Sequence, residues 1–135
     1  MCTIIVPGRP HGKARPRFAR GHAYTPKVTL DYEALVADCY RSAGGEYYGS
    51  GEMIRIDIAA FYPIAKRDDP EKQELKRQNL IRPCDVRPDL DNVVKIILDG
   101  INGVGIEDDH QVVSICANKF YSDDPRVEFV VSRIA

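Results

Sequence analysis

Carboxylates crowd into one region of this chain. Pro88-Asp89-Leu90-Asp91-Asn92 opens a stretch that also carries Lys95 and Asp99, and Asp108-Asp109-His110 follows after the next loop. Acids gathered in a small volume repel one another, and a hard divalent cation with oxygen ligands relieves that repulsion. Asp89, Asp91 and Asp109 are therefore the candidate metal ligands, with Mg²⁺ as the natural occupant and Mn²⁺ as its substitute. Lys95 lies one helical turn beyond Asp91, where an ammonium can stabilise charge on a phosphorane-like transition state or orient the attacking water.

Such a site makes demands on the backbone. Residues at i and i+2 do not share a face of a regular helix. Asp89 and Asp91 converge only if Asp89 stands at or before the N-cap, where the chain is still extended, and Asp91 lies in the first turn. The apolar stripe Leu90, Val93, Val94, Ile97, Leu98 and Ile101 predicts a helix that Asp89 caps and that ends near Gly103. Asp109 joins the same site only if the loop over 103–107 doubles back alongside that helix.

The same residues also support a plainer reading. Asp89 is a good N-cap, Asp91 suits the positive end of a helix, Asp91 and Lys95 are spaced for an i,i+4 ion pair, and Asp108-Asp109 suits a solvated turn. Two features weigh against it. Asp69 also reads as a cap, but only Asp89 is followed by a second acid, an amide and a lysine; and the charge elsewhere in the chain calls for a phosphate partner.

That charge is unevenly placed. The whole chain carries a net charge of -1, yet residues 1–30 hold Arg9, Lys13, Arg15, Arg17, Arg20 and Lys27 and no acid. A basic arm on an acidic body can hold a polyanion while leaving carboxylates free for other work. Within the arm, Lys13-Ala14-Arg15-Pro16-Arg17-Phe18, then Arg20 and Tyr24, interleave cations with aromatics, a mixture suited to phosphate contacts with occasional base stacking. Lys13, Arg15, Arg17 and Arg20 are the candidate DNA contacts. His11, His22 and His110 are isolated and suit surface roles.

The remaining elements follow from periodicity. A short strand over 2–6 precedes a basic Gly/Pro/Arg-rich loop over about 7–25, expected to be structureless. Thr25-Pro26 reads as an N-cap and first helical proline, starting a helix over 26–43 with Leu30, Ala34, Leu35, Val36 and Cys39 as apolar positions. Met53 to Tyr62 alternates as a strand, and Asp69-Pro70-Glu71 starts a polar helix reaching Leu80. Strands over 112–121 and 127–134 meet at Asp123-Asp124-Pro125 and are expected to form a hairpin. The order β-α-β-α-α-β-β predicts an α/β (α+β) fold, a mixed sheet flanked by helices in a single domain over 1–135.

At 135 residues the chain is of ordinary size for one domain. Its first apolar run, Thr3 to Val6, is too short for a secretion signal or a membrane span, so a cytoplasmic location is expected. Cys2, Cys39, Cys84 and Cys116 show no zinc-ligand spacing and read as reduced thiols.

Two longer patterns carry a family resemblance. Arg87-Pro88-Asp89-Leu90-Asp91-Asn92-Val93-Val94-Lys95, followed by Leu98-Asp99-Gly100-Ile101-Asn102 and Asp108-Asp109-His110-Gln111-Val112-Val113, resembles the RusA family of Holliday-junction resolvases of bacteria and their prophages. Gly12 to Phe18 and Ala23-Tyr24-Thr25-Pro26 resemble the amino-terminal part of its phage-type branch. The resemblance implies that Asp89, Asp91 and Asp109 are metal-binding catalytic acids and Lys95 an essential lysine. It also implies a homodimer that binds four-way DNA junctions and cuts two opposed strands symmetrically with Mg²⁺ or Mn²⁺, in recombination and repair. The segment over 66–87 is longer and more charged than in the shortest members.

The residues by themselves leave two alternatives: a nuclease with the same site acting on other branched DNA, and a non-catalytic DNA-binding protein whose acids are caps and turns. A PD-(D/E)xK nuclease is disfavoured, because Asn118-Lys119 has no acid beside it.

Overall fold

A computed structural model describes residues 2–135. Strand β4, Ile54–Pro63, organises it: Ile54, Ile56, Ile58, Ala60 and Tyr62 point into the core, and the residues between them face the other way. With β1 (Ile4–Pro7), β5 (Val112–Ser122) and β6 (Arg126–Arg133) it forms a four-stranded sheet in the order β1-β6-β4-β5. β6 is antiparallel to both β1 and β4, whereas β5 runs parallel to β4. The sheet is therefore mixed, as expected.

The expected hairpin of the last two strands is not formed. β5 and β6 flank β4 on opposite sides, with Pro63 beside Ser122 and Phe61 beside Arg126. Asp123-Asp124-Pro125 crosses the end of β4 instead of closing a pair. Turn residues specify a reversal of direction, and pairing is decided by which strand must be covered. β4 has its inward apolar side chains buried and takes a neighbour on each edge.

Helix α1, Lys27–Ser42, and helix α3, Leu90–Ile101, pack on each other over the core side of the sheet. Gly100 allows their close approach, since a Cβ there would stand 2.7 Å from the Val36 side chain. The face of α1 that is buried differs from expectation: Tyr32, Val36, Ala37 and Tyr40 are inside, while Leu30 and Leu35 face solvent. Tyrosine was the hidden apolar signal. Thr25 does not cap this helix either; Pro26 occupies the N-cap and no side chain bonds the first turn. On α3 the expected stripe is largely buried and includes Ile96 as well.

The arm is not structureless. Strands β2, Arg17–Ala19, and β3, His22–Tyr24, form an antiparallel hairpin whose every residue is exposed. Its two-residue loop, Arg20 at φ 52° and Gly21 at φ 77°, has the left-handed pair of torsions that suits the twist of a tight hairpin.

Between β4 and α3 the chain carries helix α2, Pro70–Arg77, capped by the Asp69 carboxylate, which accepts from the Lys72 amide at 2.8 Å. This segment is fastened to the sheet. Arg82 donates to the Lys119 carbonyl (2.9 Å) and Asn118 Oδ1 (3.0 Å), Lys119 donates to the Val86 carbonyl (2.6 Å), and Arg77 reaches Asp123 at 2.7 Å. No described helix is long and apolar enough to cross a membrane.

Candidate active site

Asp89 stands at the N-cap of α3 with extended torsions, φ -66° and ψ 150°, and Asp91 lies in the first turn. This is the arrangement that lets an i,i+2 pair turn towards one end of the helix. The Asp89 side chain makes no capping hydrogen bond. Nor is the expected Asp91–Lys95 ion pair present: among the described residues Lys95 instead meets Asp99 and Asp109, each at 3.5 Å. Asp89 and Asp91 are both exposed, and among the described residues neither side chain makes a hydrogen bond or ion pair. The plainer reading of these two residues as a cap and a helix ion pair thus lacks its contacts.

Asp109 does return to α3. After the helix, the amides of Gly105 and Ile106 donate to the Ile101 carbonyl and that of Gly103 to the Ile106 carbonyl, folding the chain back. A 3₁₀ turn over Asp109–Gln111 then presents Asp109 beside Lys95. Its two neighbours build the turn. Asp108 accepts from the His110 amide and contacts the His110 ring, which holds its carboxyl below the usual carboxylate range. Gln111 is buried, accepts from the Asp108 amide at 2.9 Å and donates to the Gly49 carbonyl at 2.6 Å. Of the acidic pair, Asp108 is occupied locally and Asp109 is the one aimed at α3.

The three acids are not preassembled into a ligand set. Among the described residues no group of three or more Asp, Glu, His or Cys side chains is placed to hold a metal ion. Like charges gain nothing by closing on one another, and Asp109 takes the Lys95 ammonium. The donor chemistry nevertheless fits a hard cation: three carboxylates, two of them exposed, unpartnered and free to change rotamer.

The arm reaches the site through its base. Residues Arg9 to Lys13 pass over the start of α3 and, with Arg87, Pro88, Asp89 and Asn92, enclose a cleft of about 410 Å³. Gly12 is required for this passage, since a Cβ there would lie 2.6 Å from Pro88 Cβ and 3.0 Å from Asn92 Cβ. The Lys13 amide donates to the Asn92 carbonyl at 2.9 Å and Arg9 to the Arg87 carbonyl at 3.1 Å. His11 stacks on Tyr32 with ring centroids 4.6 Å apart. Below the cleft, the Tyr62 hydroxyl donates to the Pro88 carbonyl at 2.6 Å, and burial pushes its pKa up to about 12, so it keeps the proton it donates.

Lys13 differs from the other candidate DNA contacts. Its ammonium lies 3.0 Å from both Glu33 on α1 and Asp99 on α3. Arg15, Arg17 and Arg20 are exposed farther along the arm. A chain of alternating charge thus runs from Glu33 through Lys13, Asp99 and Lys95 to Asp109. Glu33, Arg9 and Arg87 were not singled out from the sequence as site residues. Arg87 had a signal, its place directly before Pro88-Asp89; Glu33 had none, because only packing of α1 on α3 brings it near.

Residues 7–132 match the family model described as "Endodeoxyribonuclease RusA". The chain belongs to the RusA endodeoxyribonuclease family. It is also 33% identical, over 136 residues, to a protein of Bacillus subtilis (strain 168) called "Uncharacterized protein YqaN", an alignment covering 97% of this chain and 91% of that one. The RusA match spans the arm, the cleft, α3 and the Asp109 turn together, so the site described here lies wholly within the family region.

Proposed function

We propose that this RusA-family chain is a metal-dependent endonuclease that resolves four-way DNA junctions by paired, symmetric cleavage of opposed strands. The observation that carries the reading is the lack, among the described residues, of any hydrogen-bond or ion-pair partner for the Asp89 and Asp91 side chains, on a helix whose other charged side chains, Lys95 and Asp99, are both engaged. Exposed carboxylates with no structural duty, beside a cationic cleft, are suited to binding a cation and a phosphodiester.

Asp89, Asp91 and Asp109 would hold Mg²⁺ or Mn²⁺. When bound, such an ion polarises the scissile phosphate and lowers the pKa of an attacking water. Lys95 is half-exposed, with side-chain relative accessibility of 53%, and stays within reach of the acids while bringing positive charge to the developing transition state. Arg9 and Arg87 line the cleft beside Asp89 and orient the phosphate backbone, while Arg15, Arg17 and Arg20 extend the cationic track along the arm.

Two symmetric cuts need two sites related by a two-fold axis, so a homodimer is part of the proposal. The test uses a labelled four-way junction, a flap substrate and a matched linear duplex, each with and without Mg²⁺. Paired nicks in the junction, absent without metal and absent in Asp91→Asn, are expected. Preferential cutting of the flap would replace the junction assignment with another branched substrate. Metal-independent DNA binding with no cleavage in Mg²⁺ or Mn²⁺ would leave a binding protein in place of an enzyme.

A further inference from the structure

A second groove adjoins the cleft. It lies under α2, has a volume of about 400 Å³, and is lined by Arg9, Arg67, Asp68, Lys72, Lys76 and Asp85 among others. Arg9 lines the Asp89 cleft as well, so the two cavities share a wall and a cation.

The charges of the groove are not equally available. Asp68 and Lys76 form an ion pair with each side chain only 8% accessible, and the Lys76 ammonium also sits 4.5 Å from the centre of the Tyr121 ring. That pair neutralises itself within the wall. Lys72 reaches Asp68 only at 3.7 Å and is half-exposed, and Arg67 makes no ion pair among the described residues. The accessible charge is therefore that of Arg9, Arg67 and Lys72 against Asp85 alone. The side of the groove formed by Asp85 and Val86 is fastened to β5 through the Arg82 and Lys119 hydrogen bonds, opposite the cations of the α2 segment.

We infer that this groove is a second DNA contact: it holds the phosphodiester backbone of the strand that enters the Asp89 cleft, with Arg67 and Lys72 on the phosphates and Arg9 at the junction of the two cavities. The inference rests on the nuclease reading and gives the charged segment between β4 and α3 a role in it. A backbone running through adjoining cavities can use both sets of cations, and each phosphate neutralised releases counterions, which makes the contact readable as salt dependence.

The test compares full-length protein with the double variant Arg67→Ala/Lys72→Ala, both sites being on the surface. Affinity for a labelled four-way junction is measured by fluorescence anisotropy without divalent metal, across about 50 to 200 mM salt. The double variant should bind about tenfold more weakly at the low-salt end and lose roughly two units of the slope of log K against log[salt], with an unchanged melting temperature. Arg67→Lys/Lys72→Arg should restore both. If the double variant melts early, Arg67→Glu alone carries the test, with the same direction expected. Wild-type affinity and slope in the alanine variant overturn the groove assignment, and the nuclease reading then stands on Asp91→Asn. A wild-type protein that binds the junction with the full slope but never cuts it overturns the nuclease reading and leaves the groove measurement valid.

Discussion

Lys13 and Asp99 meet at 3.0 Å, an ion pair that ties the basic arm to the last turn of the helix carrying candidate catalytic acids at its start. Burial by itself would lower the Lys13 pKa, but the hydrogen bonds and charges of Glu33 and Asp99 outweigh it and hold the lysine above its ordinary value. The pair is thus intact throughout the neutral range, and on its alkaline side it is lost as pH rises through that raised pKa. Lys13→Ala and Asp99→Asn should both loosen the arm, seen as faster amide exchange over residues 13–25. Arg15→Ala, Arg17→Ala and Arg20→Ala should instead each lower the salt slope of DNA binding by about one unit. A Lys13→Ala slope change as large as theirs would show that Lys13 holds phosphate directly.

Asp69 and Asp89 are both N-caps, but only the Asp69 side chain bonds its helix. Asp69→Ala should cost about 1 kcal/mol in denaturant unfolding, the usual loss of a side-chain cap, whereas Asp89→Ala should cost clearly less while removing cleavage. Equal destabilisation would return Asp89 to a structural role.

Lys95 stands between Asp99 and Asp109, each at 3.5 Å. Lys95→Ala should lower the single-turnover rate on the order of 10²–10³-fold, the scale of removing one group that stabilises transition-state charge, with a smaller change in Mn²⁺ affinity. Parallel loss of metal affinity and rate would mean that the lysine serves to hold Asp109. Lys95→Arg keeps the charge and alters its shape, so partial recovery measures how strict the geometry is.

Gly12 passes against Pro88 and Asn92 with no room for a side chain. Gly12→Ala should lift the loop from α3, and because the atoms it meets are Cβ atoms anchored to the backbone, no rotamer change relieves the clash. The expected result is weaker DNA binding and slower cleavage, with metal affinity at Asp89 and Asp91 retained. An unaltered rate would show that the loop's seat on α3 is dispensable.

The Asp68–Lys76 pair sets an acid limit. Lys76 holds the Asp68 carboxyl below its ordinary value of 3.8. A depressed carboxyl pKa contributes stability that is full above the unfolded value and disappears as pH falls through the folded one. The melting temperature should therefore drop as pH is lowered below about 3.8, and Asp68→Asn should reduce that drop while lowering stability at neutral pH. A melting curve as acid-sensitive in Asp68→Asn as in wild type would place the acid-labile group elsewhere.

Much of this protein was legible in its sequence because the relevant physics is local. The alternation through Ile54, Ile56 and Ile58, the apolar stripe of α3, the Asp69-Pro70 start of α2 and the placement of Asp89 before Asp91 each depend on a few neighbouring residues, and each appears where the pattern put it. The basic arm was visible as charge, though its hairpin was not, because Arg20-Gly21 is a less familiar turn signal than Asn-Gly.

What required the tertiary structure involves choices among distant partners. Turn residues at 123–125 announce a reversal, but only the need to cover both edges of β4 places β5 and β6 on opposite sides of it. Leu30 and Leu35 are as apolar as a core needs, yet Tyr32, Val36 and Tyr40 are the residues buried, because the packing of α1 selects one helix face as a whole. Lys95 was spaced for Asp91 on one side and Asp99 on the other along the same helix; it takes Asp99, and it meets Asp109 as well because the chain after α3 folds back beside it. Sequence spacing states which side chains can meet along one helix; which of them do is decided by the charges that other elements bring there.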